Sequence, residues 1–337
     1  MVTRMITKQQ RSSPTLISGG NNDMVNTSRR SFVQAAIMAS GAIVAGGFPL
    51  QFETPTTREA VHRLPRLDLA DQCAVWACWV GQSTVLVKVG ATWILTDPVF
   101  SDVVGLNILG LRIGPRRITP PALTVDELPR PDVVLLSHAH MDHLDLPSLD
   151  MLTHRWPGQI EVLTPTNTSD LLVDFPWKSI NEIDWNETTS VNGIGIKALE
   201  VAHNGWRIPG EPCRSLGNRR LGRSYNGYLI DCNGARVVFG GDTAYTNTFG
   251  RIIGGVELAI MPIGSYQGYE KFHCTPEQAL EMSAMMQARS MMPIHHLTFK
   301  QSSEPISEPI KRLQQRSKEY EMVLAARMPG STYSMLG

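Results

Sequence analysis

Leu135-Leu136-Ser137-His138-Ala139-His140-Met141-Asp142-His143 is the stretch on which the reading of this chain turns. The apolar run from Val133 predicts a buried strand, and the histidines begin where it ends, at the kind of position where a rigid scaffold carries functional loops. Three of the nine histidines in the chain fall within positions 138–143. In an extended segment, residues i and i+2 point the same way, so His138 and His140 can grip one ion. A turn into a helix would then project Asp142 and His143 towards a second ion beside the first. Neutral imidazoles and a carboxylate suit zinc, with iron, nickel or manganese as other divalent metals the donors accept.

Three further residues close apolar runs in the same way. His203 follows Ala198-Leu199-Glu200-Val201-Ala202, and His295 follows Met291-Met292-Pro293-Ile294. Asp242 follows Arg236-Val237-Val238-Phe239-Gly240-Gly241, where two glycines permit a tight turn. A carboxylate there can bridge two cations with its two oxygens. Beside the first cluster, the pattern reads as a metal centre and not as unrelated buried polar groups. His296 points away from His295 if the segment stays extended, so it is read as a neighbour.

From Leu67 onward, short β-rich runs alternate with turns. Strands are predicted at Ala74–Val80, Thr84–Val89, Trp93–Thr96, Val133–Ser137, Glu161–Thr164, Ile194–Val201, Tyr225–Asp231, Arg236–Gly240, Leu258–Pro262 and Ser290–Ile294. Helices are predicted at Leu146–Leu152, Asn167–Phe175, Thr275–Ala288 and Glu308–Tyr320. Hairpins precede the first helix, and strand–helix units recur in each half. The class is therefore α/β, with two sheets and helices packed outside them.

Composition narrows the function. The 337 residues include 42% hydrophobic ones, enough for a sizeable core. Thirty-one basic and 31 acidic residues cancel, which argues against a nucleic-acid partner and against a nuclease. No run of strongly apolar residues reaches the length of a membrane span, so a polytopic membrane protein is excluded. The five cysteines (Cys73, Cys78, Cys213, Cys232, Cys274) include no closely spaced thiolate pair and read as small buried apolar residues. Only Cys73–Cys78 stays open as a bridge in an exported chain.

The N-terminal sixty residues read separately. Residues 1–27 are polar and without period. Ser28-Arg29-Arg30-Ser31-Phe32-Val33-Gln34 then precedes a mildly apolar run from Ala35 to Leu50. That order resembles a twin-arginine export signal, and the run is too short to span a bilayer. A start at Met24 would bring the arginine pair close to the N-terminus. Residues 1–60 are accordingly expected to be an export signal with a disordered leader, and residues 61–337 a single folded domain carrying the metal centre. The expected location is periplasmic, with the twin-arginine machinery as a partner.

The order His138-x-His140-x-Asp142-His143, His203, Gly241-Asp242-Thr243, His295 resembles the metallo-β-lactamase superfamily. Trp79-Val80-Gly81-Gln82-Ser83-Thr84, Leu95-Thr96-Asp97-Pro98-Val99-Phe100, Gly114-Pro115-Arg116-Arg117, His273-Cys274-Thr275-Pro276-Glu277 and Pro293-Ile294-His295 are similar to its N-acylphosphatidylethanolamine phospholipase D branch, which lies close to sugar-acid lactonases. The resemblance spans roughly residues 70–315. It implies a four-layer αββα sandwich and two Zn2+ ions. One would be held by His138, His140 and His203, the other by Asp142, His143 and His295, with Asp242 bridging. It implies a phosphodiesterase using a hydroxide shared by the metals, with Asp142 and Asp242 orienting the nucleophile. The substrate would be a lipid or small-molecule phosphodiester or ester, with peripheral membrane contact. Two positions depart from the branch: Gln82 stands where histidine is frequent, and the neighbourhood of Gly222–Arg223 lacks its usual aromatic residue.

Arg207, Arg214, Arg219, Arg220 and Arg223 crowd a loop just after His203. Guanidinium groups near such a centre suit an anionic substrate, so Arg207, Arg219, Arg220 and Arg223 are expected substrate contacts, and the alternative is a solvated loop. His273, ahead of a predicted helix N-terminus, is expected to contact substrate phosphate or support the site. A lactonase or other carboxylic-ester hydrolase is the competing function, because the same hydroxide chemistry serves both.

Overall fold

The computed structural model describes residues 65–336 except 209, 213 and 215–221. The predicted leader (1–60), Cys213, Arg219 and Arg220 lie outside the described residues. The first sheet opens with an antiparallel meander of β1 (Cys73–Gly81), β2 (Thr84–Val89) and β3 (Thr92–Thr96). After a hairpin of β4 (Leu106–Ile108) and β5 (Leu111–Ile113), the strands β6 (Val133–Leu135), β7 (Glu161–Pro165) and β8 (Ser179–Ile183) extend that sheet in parallel. The second sheet begins with the antiparallel strands β9 (Thr188–Val191), β10 (Ile194–Leu199), β11 (Gly227–Cys232) and β12 (Ala235–Phe239). It continues in parallel through β13 (Val256–Pro262), β14 (Ala288–Ile294) and β15 (Val323–Leu324). The final strand β16 (Thr332–Leu336) returns to pair with β1.

Alternation along the strands builds the layers. On β1, Val75, Ala77 and Trp79 face Tyr228, Ile230, Phe239 and Ile260 of the other sheet. Trp76, Cys78 and Val80 face outward and pack with Leu149 and Leu152 of α1 (Leu146–Arg155). On the second sheet, Val238, Ala259 and Met261 pack with Leu280 and Met282 of α2 (Pro276–Met285) and with Ile310 and Leu313 of α3 (Glu308–Arg316). Strands buried on both faces read as near-continuous apolar runs, which is why the central ones were visible in sequence. The result is the expected order: helix, sheet, sheet, helix.

The helices start on side-chain caps. Asp145 accepts from Ser148 N at 3.2 Å to open α1. Thr275 and Gln278 form a capping box on α2.

Several expectations need correction. Asn167–Phe175 is not a helix but contains only a 3-10 turn, Ser169–Leu171. Asn167 takes φ +63°, and Glu182 of β8 accepts the amides of Asn167, Thr168 and Ser169, using the donors that would open a helix. The helix predicted to Ala288 stops at Met285, because Gln287 turns left-handed (φ +53°) and Ala288 already belongs to β14. The last helix ends at Arg316 and continues only as a 3-10 turn to Glu319. The strands missed from sequence are the hairpin and the four sheet edges β8, β9, β15 and β16. Edge strands are short or half exposed and carry a weaker apolar pattern. Cys73, Cys78, Cys232 and Cys274 are free thiols, so Cys73 and Cys78 form no bridge; burial pushes the Cys78 thiol up to about 12.

Candidate metal centre

Every strand-closing residue singled out from sequence arrives at one place. β3 and β6 run parallel in one sheet, β12, β13 and β14 in the other, so their C-terminal ends open on a common rim. Past β6, amides 143 and 144 bond to the carbonyl of His140, closing one tight turn before Asp145 opens α1. That turn carries His138, His140, Asp142 and His143. His203 follows β10, Asp242 follows β12 and His295 follows β14. Gly241 is required for the approach: it has φ +59°, and a Cβ there would lie 2.7 Å from the Cβ of Ser137. Gly264, beside the His295 turn, is similarly confined, with 2.1 Å from an added Cβ to the His295 carbonyl oxygen.

Two donor clusters result. His138, His140 and His203 form one, and Asp142, His143, Asp242 and His295 the other. In the first, His140 Nδ1 is 2.8 Å from His138 Nε2 and 3.3 Å from His203 Nε2. In the second, Asp242 Oδ2 is 3.0 Å from His143 Nε2 and 3.2 Å from His295 Nε2. Donors about 2.0–2.1 Å from a tetrahedral zinc are themselves separated by roughly 3.3 Å, so this spacing suits a transition metal. Asp242 Oδ2 also lies 3.9 Å from His203 Nε2, which places it between the clusters.

The outward ring nitrogens of four of the five histidines are fixed by hydrogen bonds; that of His295, Nδ1, is buried without a partner. His138 Nδ1 meets Ser137 Oγ at 2.9 Å, His140 Nε2 meets the Asn204 side-chain oxygen at 2.9 Å, and His203 Nδ1 meets the Phe272 carbonyl at 2.8 Å. His143 Nδ1 donates to Asp97 Oδ2 at 2.7 Å. Donation outward leaves the inward nitrogen of each of these four rings as its ligating atom. Asp97 also accepts from Ser137 N (2.7 Å) and Ser137 Oγ (2.5 Å), so one fully buried carboxylate orders the start of the ligand turn. Asp142 Oδ2 accepts from Gln82 Nε2 at 2.9 Å and Gln301 Nε2 at 2.8 Å. Thus Gln82, the departure noted from sequence, helps to hold a carboxylate of the second cluster. Asp97, Gln82 and His295 all have positive φ (32°, 50° and 60°), backbone strain gathered at one site.

The electrostatics divide the centre in two. Burial, reinforced by the neighbouring imidazoles, holds His138 well below the ordinary histidine pKa, and burial does the same for His203. Burial opposes charge on His143 and His295, yet Asp242 and Asp142 raise the first well above its usual value and the second to about 9. Burial likewise opposes ionisation of Asp142 and Asp242, but the adjacent histidines hold both carboxyls well below their usual range. Buried carboxylates of this kind require cations. His143 Nε2 and Asp242 Oδ1 are buried without hydrogen-bond partners, as atoms aimed at an ion would be. Chemistry and geometry both fit a metal pair.

The remaining candidates fall differently. His273 Nδ1 is buried, has no hydrogen bond, and lies 3.8 Å from Asp242, so it faces the centre. Arg207, expected to meet substrate, instead donates to the carbonyls of Ala139 and Leu144 at 2.9 and 3.0 Å, bracing the ligand turn. Arg223 pairs with Asp170 and Glu211, and Arg214 with Asp184 while stacking on Trp185. These three guanidiniums all have partners within the protein. His296 is buried against Trp79, with ring centroids 4.6 Å apart. His154 is a surface residue paired with Asp150.

Sequence reasoning did not place Asp97, Asn204 or Gln301 in the site. Asp97 closes the apolar strand β3 just as Asp242 closes β12, so the same rule would have found it. Asn204 and Gln301 carry no comparable signal.

A family model described as a beta-lactamase superfamily domain matches residues 92–296. The chain is 28% identical to an N-acyl-phosphatidylethanolamine-hydrolyzing phospholipase D of Caenorhabditis elegans, over 71% of this chain and 68% of that protein. It is 31% identical to the mitochondrial N-acyl-phosphatidylethanolamine-hydrolyzing phospholipase D of Saccharomyces cerevisiae, over 72% of this chain and 52% of that one. Among solved structures, a metallo hydrolase of the archaeon Ignicoccus hospitalis aligns with a TM-score of 0.58 at 17% identity, covering 78% of this chain and 99% of that one.

Proposed function

The chain belongs to the metallo-β-lactamase superfamily of metal-dependent hydrolases, and from that membership we propose that it is a two-zinc phosphodiesterase of the N-acylphosphatidylethanolamine phospholipase D type. Asp242 carries the two-metal reading, because its Oδ2 faces both histidine clusters at 3.0–3.9 Å. His138, His140 and His203 would hold one ion, and Asp142, His143 and His295 the other. When bound, such ions lower the pKa of water and neutralise charge on substrate oxygens.

The protein groups supply position and proton handling. Asp97, Ser137, Asn204 and the Phe272 carbonyl lock the imidazoles of His138, His140, His143 and His203 in their ligating orientation. Gln82 and Gln301 occupy Asp142 Oδ2, so Asp142 is held rigidly while it and Asp242 orient the attacking water and accept its proton. His273, with Nδ1 buried and unbonded beside Asp242, donates to a phosphoryl oxygen of the substrate. The phosphodiester class is supported by the activity named for the nematode and yeast relatives. We also propose export through Arg29-Arg30 to the periplasm.

The deciding experiment compares bis-p-nitrophenyl phosphate with a homoserine lactone and a sugar lactone, using zinc-loaded protein. The expected result is turnover of the phosphodiester, with a large kcat/KM loss in His273→Ala. Turnover of lactones alone would replace this reading with an ester hydrolase on the same metals.

A further inference from the structure

The hairpin of β4 and β5 carries a run of exposed large apolar side chains, and the hydrolytic mechanism makes no use of it. Ile108, Leu109, Leu111 and Ile113 are 42%, 102%, 67% and 49% exposed, and Ile118 follows at 47%. Leu109 touches almost nothing; it occupies the turn with φ +52°, and Gly110 beside it faces open space. Scattered exposed leucines are ordinary, but a contiguous apolar tip marks a contact surface.

The root of the hairpin is fastened to the metal centre on both sides. Arg112 donates to Asp145 Oδ1 at 2.9 Å, at the end of the turn that carries His143. Val104 is buried with Val99 and Phe299, the latter four residues past His295. The amide of Ile118 and the hydroxyl of Thr119 bond to the carbonyls of Thr298 and Leu297. The apolar tip therefore projects from the wall of the site, on an anchored stem.

Charge indicates what covers it. Residues 103–118 contain three arginines and no carboxylate. Arg112 is paired with Asp145, and the half-buried Arg117 donates to the carbonyls of Val99 and Ser101 and stacks on Phe299 at 4.8 Å. Arg116 and Lys300 are exposed cations at the root, beside one exposed carboxylate, Asp102, and below an uncharged tip. Apolar residues beyond, cations behind: this is the vertical order of an anionic bilayer interface, acyl chains inside and phosphates outside. Among the described residues no helix is long and apolar enough to cross a membrane.

We propose that the hairpin Leu106–Ile113 inserts into an anionic membrane surface and sets the metal centre against the lipid headgroups. The inference concerns binding, and it stands whichever ester the site cleaves. The test is co-sedimentation of the full chain with vesicles of phosphatidylcholine containing phosphatidylglycerol, or of phosphatidylcholine alone. Leu109→Asp with Leu111→Asp should lower partition onto the anionic vesicles by about tenfold or more, given the apolar area removed. Its thermal unfolding and turnover of soluble bis-p-nitrophenyl phosphate should be unchanged. The segment 35–50 is identical in both proteins, so the difference isolates the hairpin. As a second readout, Leu109→Trp should gain emission, relative to the parent, that brominated acyl chains quench. Equal partition of parent and double variant, or added indole emission that brominated chains leave unquenched, would overturn the proposal. So would a concentration-dependent dimer lost in the double variant, which would assign the hairpin to a second copy of the chain.

Discussion

Replacing Asp97 by asparagine changes one buried atom and no volume, so its effect isolates the hydrogen bonds that order the ligand turn. Oδ1 accepts from Ser137 N, and Oδ2 accepts from Ser137 Oγ and His143 Nδ1, all within 2.5–2.7 Å. All three partners donate. An amide nitrogen at either position therefore faces at least one donor, whichever way the side chain is turned. Hydrogen bonds to a charged group contribute about 1.5–3 kcal/mol each. Loss of a carboxylate behind a ligating histidine costs on the order of 10–100-fold in metal affinity or activity, equivalent to about 1.4–2.7 kcal/mol. Both estimates lead to one expectation: Asp97→Asn should bind metal roughly 10–100-fold more weakly, with kcat/KM falling in step at limiting metal. Chelator competition gives the affinity, and bis-p-nitrophenyl phosphate hydrolysis gives the rate. Wild-type affinity together with wild-type turnover would refute the claim that Asp97 orients His143.

Arg207→Ala should lower kcat by the same factor for phosphodiester and lactone substrates and cost about 1–3 kcal/mol of stability, because it frees two carbonyls of the ligand turn; loss confined to phosphodiesters would instead make Arg207 a substrate contact. Burial opposes charge on Asp184, but hydrogen bonds from Arg214 and the Trp185 amide hold its pKa below the usual range. Its stabilisation is therefore present above the unfolded value of about 3.9 and lost as pH falls through the folded one. Urea unfolding should accordingly show Asp184→Asn weaker than wild type at pH 7, with the gap closing in acid; a gap independent of pH would contradict the pairing. Replacing Arg29 and Arg30 by lysine should retain the protein in the cytoplasm, as cell fractionation would show, and an unchanged distribution would remove the export reading.

The central strands were legible because burial on both faces writes apolar residues at nearly every position. The candidate ligands were legible because they follow the ends of such strands, singly after β10, β12 and β14 and as a cluster in the turn after β6, where a polar residue has no packing reason to stand. What stayed hidden follows from the same physics. The edge strands β8, β9, β15 and β16 bury too little to show a pattern. Gln301 reaches Asp142 across 159 residues of sequence, a contact that no local spacing encodes. The loop arginines looked free because their partners, Asp184, Asp170 and the carbonyls at 139 and 144, come from distant segments. A local cluster of charge records composition; whether it is spent inside the protein is decided by tertiary contacts.

The most direct test of the two-metal centre is the transition-metal content of the purified, active chain by elemental analysis, alongside Asp242→Asn. Asp242 belongs to the second donor cluster and lies 3.9 Å from His203 of the first, so the expected result is close to two ions per chain, with weakened retention of both and loss of turnover in the variant. A single ion or none in the active preparation, or an Asp242→Asn protein with wild-type turnover, would contradict the account.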